Sequence, residues 1–192
     1  MVKDFRGLSI KKNLVFALVF FIMIGSFLPH SYGEEGSKVK YGFSVMGGAG
    51  EAWYDKPNMT VFGFFPRADL ALHRNWDLEF EGNVSYWSIS GEKNLYFLGV
   101  NGNIVFKPIQ GNWGSLFLLG GGGLGYDNAG KNGVKEIGDS HCGGVYQVGA
   151  GINYSLPKGL ALRLEYRFYH ISDPFNNDKG LNTHTALFGI SF

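Results

Sequence analysis

From Trp76 to Ser88 the chain alternates between two kinds of side chain, and this period of two constrains the fold more than any other feature. The even positions are Trp76, Leu78, Phe80, Gly82, Val84, Tyr86 and Ser88. The odd positions are Asp77, Glu79, Glu81, Asn83, Ser85 and Trp87. The segment from Leu160 to His170 repeats the pattern with opposite charge: Leu160, Leu162, Leu164, Tyr166 and Phe168 against Ala161, Arg163, Glu165, Arg167 and Tyr169. Further alternating stretches fall at about 39–50, 59–72, 94–107, 114–127, 143–155 and 182–192, and no convincing 3.6-residue period intervenes. Eight strands without helices predict an all-β domain.

The two faces say which way such a sheet turns. In a water-soluble sandwich the apolar face would form the core and every strand would send its acids and arginines outward. The polar sets are small and complementary, however: Asp77, Glu79 and Glu81 against Arg67, Arg163 and Arg167, with Asp69, Asn101, Asn103, Gln147 and Asn153 beside them. The apolar sets are long and carry Tyr, Trp and Phe towards their ends. That division predicts an eight-stranded antiparallel transmembrane β-barrel of the bacterial outer membrane, with an aromatic-girdled lipid face and a self-paired polar interior. Eight strands leave little room inside, so the interior is expected to be an ion-paired plug and not a pore.

The N-terminus stands apart. Lys3, Arg6, Lys11 and Lys12 precede an almost unbroken apolar run from Leu14 to Leu28, and Ser31-Tyr32-Gly33 offers small residues for cleavage. The run is 15 residues long, short of the ~20 needed to cross a bilayer as a helix. Residues 1–33 are therefore expected to be a signal peptide and residues 34–192 the barrel. Without those 33 residues, the chain carries 13 basic and 15 acidic residues. With no basic excess, nucleic acid is not an expected partner. The single cysteine, Cys142, excludes a disulfide framework. Closure of a barrel stabilises such a chain instead, because it leaves no strand edge unpaired. Cys142 reads as a small residue at a strand start beside Gly143 and Gly144.

The joins between strands alternate in length. Those at 73–75, 108–113 and 156–159 are short; those at 51–58, 89–93, 128–142 and 173–181 are mostly longer, as periplasmic turns and extracellular loops are. The chain closes on Leu187-Phe188-Gly189-Ile190-Ser191-Phe192, a pattern similar to the C-terminal strand signal of outer-membrane barrels.

Few residues could carry chemistry. Gly120, Gly122 and Gly125 match G-x-G-x-x-G, but no helical pattern follows, so the dinucleotide reading fails. No His, Cys, Asp and Glu spacing suggests a metal site, and no cofactor is implied. The informative segment runs from Glu165 to Asn182. His170 and Ser172 continue the even register of Leu164, Tyr166 and Phe168, and so face outward at the top of an upward strand. Asn182 opens the returning strand on the register of Ala186, Phe188 and Ile190. Two residues apart on one face puts the β-carbons roughly 7 Å apart, within reach of a His-to-hydroxyl hydrogen bond. His170 could then act as a general base on Ser172, with Asn182 orienting the imidazole. The same residues also fit as polar girdle residues at the headgroup level.

Glu165-Tyr166-Arg167-Phe168-x-His170-x-Ser172, with Gly180-Leu181-Asn182 after a short loop, resembles the PagL-type lipid A 3-O-deacylases. The resemblance implies a serine esterase that removes the ester-linked 3-hydroxyacyl chain at the 3-position of lipid A in the outer leaflet. It places the nucleophile on Ser172 and the base on His170. Asp173 falls in the oxyanion region, where the family has Asn; an ionised carboxylate cannot donate a hydrogen bond, which leaves only the backbone N–H. Asn182 falls where well-known members carry Glu. The implied partners are lipid A or lipopolysaccharide as substrate and the surrounding membrane lipid, and a homodimer is compatible with the reading. Two rivals remain: a non-enzymatic OmpX- or OmpW-like barrel, and a palmitoyl-transferring barrel, against which the charged interior argues.

Overall fold

A computed structural model describes residues 39–52, 58–91, 94–128, 141–174 and 180–192; the expected signal peptide lies outside them. Eight strands follow in order: β1 (Val39–Ala52), β2 (Asn58–His73), β3 (Trp76–Ile89), β4 (Leu95–Gly111), β5 (Gly114–Asp127), β6 (Cys142–Ser155), β7 (Ala161–Ser172) and β8 (Leu181–Ser191). Each pairs antiparallel with the next, and β8 returns to β1, with Gly42 opposite Ser191 and Ala52 opposite Leu181. The eight-stranded antiparallel barrel expected from the alternation is what the chain forms.

Several strands run beyond the sequence reading, β4 furthest. β4 runs past position 107 to Gly111, with a register shift between Phe106 and Ile109. Pro108 lies inside that irregularity, where its missing N–H costs no ladder bond. β7 continues past His170 to Ser172. Its pairing is unbroken, with Gly144 opposite Ser172 on β6 and Ile171 opposite Leu181 on β8.

The polarity is inverted relative to a water-soluble protein. Phe62 (61% exposed), Val100 (58%) and Leu164 (57%) lie bare on the outer wall, while Glu79 (0%) and Arg167 (1%) are fully buried. In water such a wall would be costly; in a bilayer it is the solvated face. The interior charges pair across the barrel. Arg167 donates to Glu81 from Nη1 at 2.8 Å and from Nη2 at 3.1 Å, and to Glu165 from Nε at 2.6 Å. Arg163 donates to Glu79 at 2.7 Å and lies 4.2 Å from the centre of the Phe117 ring. Gln147 and Asn103 extend the network, with Nε2 to Oδ1 at 2.7 Å.

The expectation of a polar interior holds for only part of the barrel. Nearer the long connections, the lumen is filled by an apolar cluster that includes Met46, Met59, Val61, Phe65, Trp87, Phe97, Tyr169, Ile171 and Leu181. Trp87 and Tyr169 stand on the inward parity of their strands, with ring centres 5.6 Å apart. Each polar tip is satisfied: Trp87 Nε1 donates to Ser85 Oγ at 3.0 Å, and Asn83 donates to the Tyr169 hydroxyl. An apolar cap over an ion-paired layer excludes water from the charges below and strengthens their attraction.

Candidate active site

The site is built on the last hairpin, at the end of the barrel where the long connections lie. Because β7 carries no bulge between Ala161 and Ser172, the outward register of Leu164 and Tyr166 reaches His170 and Ser172 intact. On β8, Asn182 stands directly opposite His170. Leu181 and Thr183 on either side are fully buried, so the strand presents Asn182 on the outer face between two inward anchors.

The geometry joins two of the expected residues. The His170 Nδ1–H donates to Asn182 Oδ1 at 2.8 Å. That bond holds one tautomer and leaves the Nε2 lone pair free to accept a proton. The imidazole leans toward the loop end: a Cβ placed on Gly180 would lie 2.8 Å from Nε2 and 2.5 Å from Cε1. Gly180 precedes Leu181, which stands opposite Ile171, so the Nε2 edge of His170 is turned toward the return of the hairpin. Gly180 has φ +67°, which an L side chain adopts only with strain, and only hydrogen fits in the gap above the ring.

Ser172 stands less completely. Among the described residues no hydrogen bond joins its hydroxyl to His170, and the residue is only 8% exposed despite its outward register. The cover comes from the loop side. A Cβ on Gly144, the register partner of Ser172, would meet the Pro174 ring at 3.3 Å, so the chain leaving β7 folds back onto the wall there. Asp173 lies just past the strand end and is 2% exposed.

Several contributors escaped the sequence reading. Tyr146 flanks His170 from β6, with ring centres 6.1 Å apart. Its place follows from the short turn at Pro157–Gly159, which pairs Ser155 with Ala161 and so fixes the β6–β7 register. Gly180 was visible in Gly180-Leu181-Asn182 but not its seat against the imidazole. Lower on the wall, His184 Nδ1 and the Tyr166 hydroxyl lie 2.5 Å apart and share a hydrogen bond, with the rings stacked. No group of three or more His, Cys, Asp or Glu residues among the described residues could hold a metal ion. Cys142 opens β6 and is half-buried.

Comparison with known proteins places the fold. The family model for the outer membrane protein beta-barrel domain matches residues 17–192. No curated protein matches the sequence significantly. Among solved structures, the outer membrane enzyme PagL superposes with a TM-score of 0.58 at 15% identity, over 77% of this chain and 97% of that one. Ail, the attachment invasion locus protein of Yersinia pestis, superposes more loosely, with a TM-score of 0.43 at 14% identity over 80% of this chain and 96% of that one. At such identities the PagL likeness shows the fold.

Proposed function

Since this chain belongs to the outer membrane protein beta-barrel family and resides in the outer membrane, we propose that it is a lipid A deacylase. Its reaction is hydrolysis of the ester-linked 3-hydroxyacyl chain at the 3-position of lipid A in the outer leaflet. The observation that carries this reading is the 2.8 Å bond from His170 Nδ1–H to Asn182 Oδ1, on the lipid-facing wall and one outward step from Ser172. A histidine so held, beside a hydroxyl and facing the hydrocarbon boundary, can reach an ester that never leaves the membrane.

The chemistry runs in two halves. Ser172 Oγ attacks the acyl carbonyl while His170 Nε2 takes its proton. The C–O bond to the sugar then breaks, and the departing sugar oxygen receives that proton from His170. Water, deprotonated by the same nitrogen, attacks the acyl-serine; the C–O bond to Ser172 breaks, Oγ takes the proton back from His170, and the 3-hydroxy fatty acid is released. Asn182 keeps the imidazole aligned through both halves. In the oxyanion region a carboxylate at Asp173 has no hydrogen to give, so donation there falls to a backbone N–H. The solved fold relative PagL is itself an outer membrane enzyme, which agrees with the reading.

One observation favours a second reading. The Ser172 hydroxyl is not bonded to His170 and is largely covered, as expected of a girdle residue in a non-enzymatic surface barrel. The masses of lipid A from cells expressing the wild type and Ser172→Ala decide between them. The deacylase reading expects wild-type lipid A lighter by one hydroxyacyl group and Ser172→Ala lipid A at full mass. Unchanged mass in both supports the surface barrel and removes the deacylase.

A further inference from the structure

A recess at the opposite end of the barrel, where the short turns lie, has no part in the ester chemistry. The β3–β4 ladder ends at Trp76–Phe106, yet β4 runs on to Gly111 and pairs there with β5 alone. This overhang leaves a cavity of about 320 Å³ between the β2–β3 turn and the end of β4, lined by Arg74, Asn75, Pro108, Ile109 and Gln110. Its walls are tied together. The Lys107 N–H donates to the Asn75 carbonyl at 2.8 Å, and Gln110 Nε2 donates to the Arg74 carbonyl at 2.7 Å. The charge beside it is uncompensated. Lys107 is neutralised by Asp77 at 2.7 Å, but the Arg74 guanidinium has no hydrogen bond or ion pair among the described residues. No carboxylate lines the recess. Asn75 Oδ1 accepts from Gln110 Nε2 at 3.4 Å, and the Asn75 amide keeps both of its N–H donors for another partner.

We infer that this recess binds the phosphate diester of a phospholipid from the leaflet at the short-turn end, with the Arg74 guanidinium and the Asn75 amide as its donors. A guanidinium presents paired N–H groups that match two oxygens of a phosphate, and an amide N–H adds a further bond. The surroundings favour a lipid over a free anion. Trp76 and Phe106, the last rung of the β3–β4 ladder, stack at the foot of the outer wall with ring centres 4.5 Å apart, and Trp76, Ile109 and Trp113 are exposed there. Aromatic residues in that place mark the boundary between hydrocarbon and headgroups. The donors therefore lie at headgroup level, just beyond a wall that acyl chains cover. The volume is at the small end for a ligand site, enough for a phosphate and a short headgroup, so the chains stay on the wall.

The test titrates phosphatidylglycerol into the full chain folded in uncharged detergent micelles and counts the retained lipid by native mass spectrometry. One tightly held lipid per barrel is expected. Arg74→Gln should weaken its retention about tenfold, and Asn75→Asp, which sets a carboxylate where a donor stood, at least as much. Arg74→Lys, which keeps the charge and loses the fork, should fall between Arg74→Gln and the wild type. Lys158→Gln removes an exposed cation from the β6–β7 turn and should change retention less than about twofold. Diacylglycerol with the same chains lacks the phosphate and should not be held, and inorganic phosphate alone should bind far more weakly than the lipid. Four results overturn the proposal. Equal losses in Arg74→Gln and Lys158→Gln would mean a diffuse attraction to the whole rim. Diacylglycerol retained as well as phosphatidylglycerol would mean apolar adsorption to the wall. Inorganic phosphate held as tightly as the lipid would make this a site for a free anion. A wild-type barrel that retains no phosphatidylglycerol would remove the site altogether. None of these outcomes depends on whether the barrel releases fatty acid.

Discussion

Removing the carboxylate of Glu81 should unfold this barrel more readily than any other single polar deletion in its interior. Glu81 accepts from Arg167 Nη1 at 2.8 and 3.1 Å and from Nη2 at 3.1 Å, and it also takes Asn101 Nδ2 at 3.0 Å and Gln147 Nε2 at 3.3 Å. In Glu81→Leu, Arg167 keeps only Glu165 as a charged partner, and Arg163 already draws on Glu165 at 2.8 Å. A guanidinium left under-compensated in a dry lumen costs about 3–5 kcal/mol. The double variant Glu81→Leu/Arg167→Met removes both charges and replaces them with hydrocarbon of similar volume. It should recover most of that loss, giving a coupling of at least about 2 kcal/mol. Urea unfolding of the barrel in lipid vesicles, followed by tryptophan fluorescence, measures each corner of the cycle. Added salt should leave the single-variant loss unchanged, because counterions do not reach a sealed pair. A Glu81→Leu loss below about 1 kcal/mol, or a double variant whose cost equals the sum of the two singles, would refute the picture of a sealed, mutually dependent ion-pair layer.

Gly180→Ala should cost about 1–2 kcal/mol from its φ alone. It should also lower fatty-acid release about a hundredfold by displacing the imidazole, since its Cβ would lie 2.5 Å from His170 Cε1 and 2.7 Å from the Ile171 carbonyl. Steady-state release by a variant that still folds measures the second effect, and full activity would contradict the seating of His170 against Gly180. In planar bilayers the barrel should show no stable conductance, because Arg167, Gln147, Tyr169 and Trp87 fill the lumen; steady channels of defined size would mean that the ion-paired layer opens.

The inward and outward parity of the strands was legible because the lipid-facing and lumen-facing demands differ in kind along most of their length. Glu79 and Glu81 face Arg163 and Arg167 as complementary sets already in the sequence. Which acid meets which arginine was not legible: β3 and β7 are not neighbours, so Glu81 finds Arg167, and Glu79 finds Arg163, through the closure of the whole barrel. The apolar half of the lumen was hidden for a different reason. Met59, Val61 and Phe65 lie on the same parity as Arg67, but near the loop end both faces of β2 are apolar. Alternation then loses its contrast, and only the charged positions stand out. Pro108 misled in the opposite direction, since a proline suggests a strand end, whereas β4 takes it into an irregularity and continues.

The site shows the same division between parity and register. Parity needs only counting along one strand, and it put His170, Ser172 and Asn182 on the wall without knowledge of their neighbours. The contacts that give His170 its character depend on register between strands: Asn182 across one ladder, Tyr146 across the other, Gly180 at the hairpin's return. Register is a property of the turns. The hairpin that pairs Ser155 with Ala161 sets Tyr146 beside the imidazole through ten consecutive residue pairs of unbroken ladder. A one-residue insertion in that turn would leave the order of every candidate residue unchanged, yet it would force β6 either to slip against β7 or to turn its aromatic face inward. A signature confined to the last hairpin therefore identifies the residues that could react, while the distant turns and the closure of β8 on β1 decide what stands next to them.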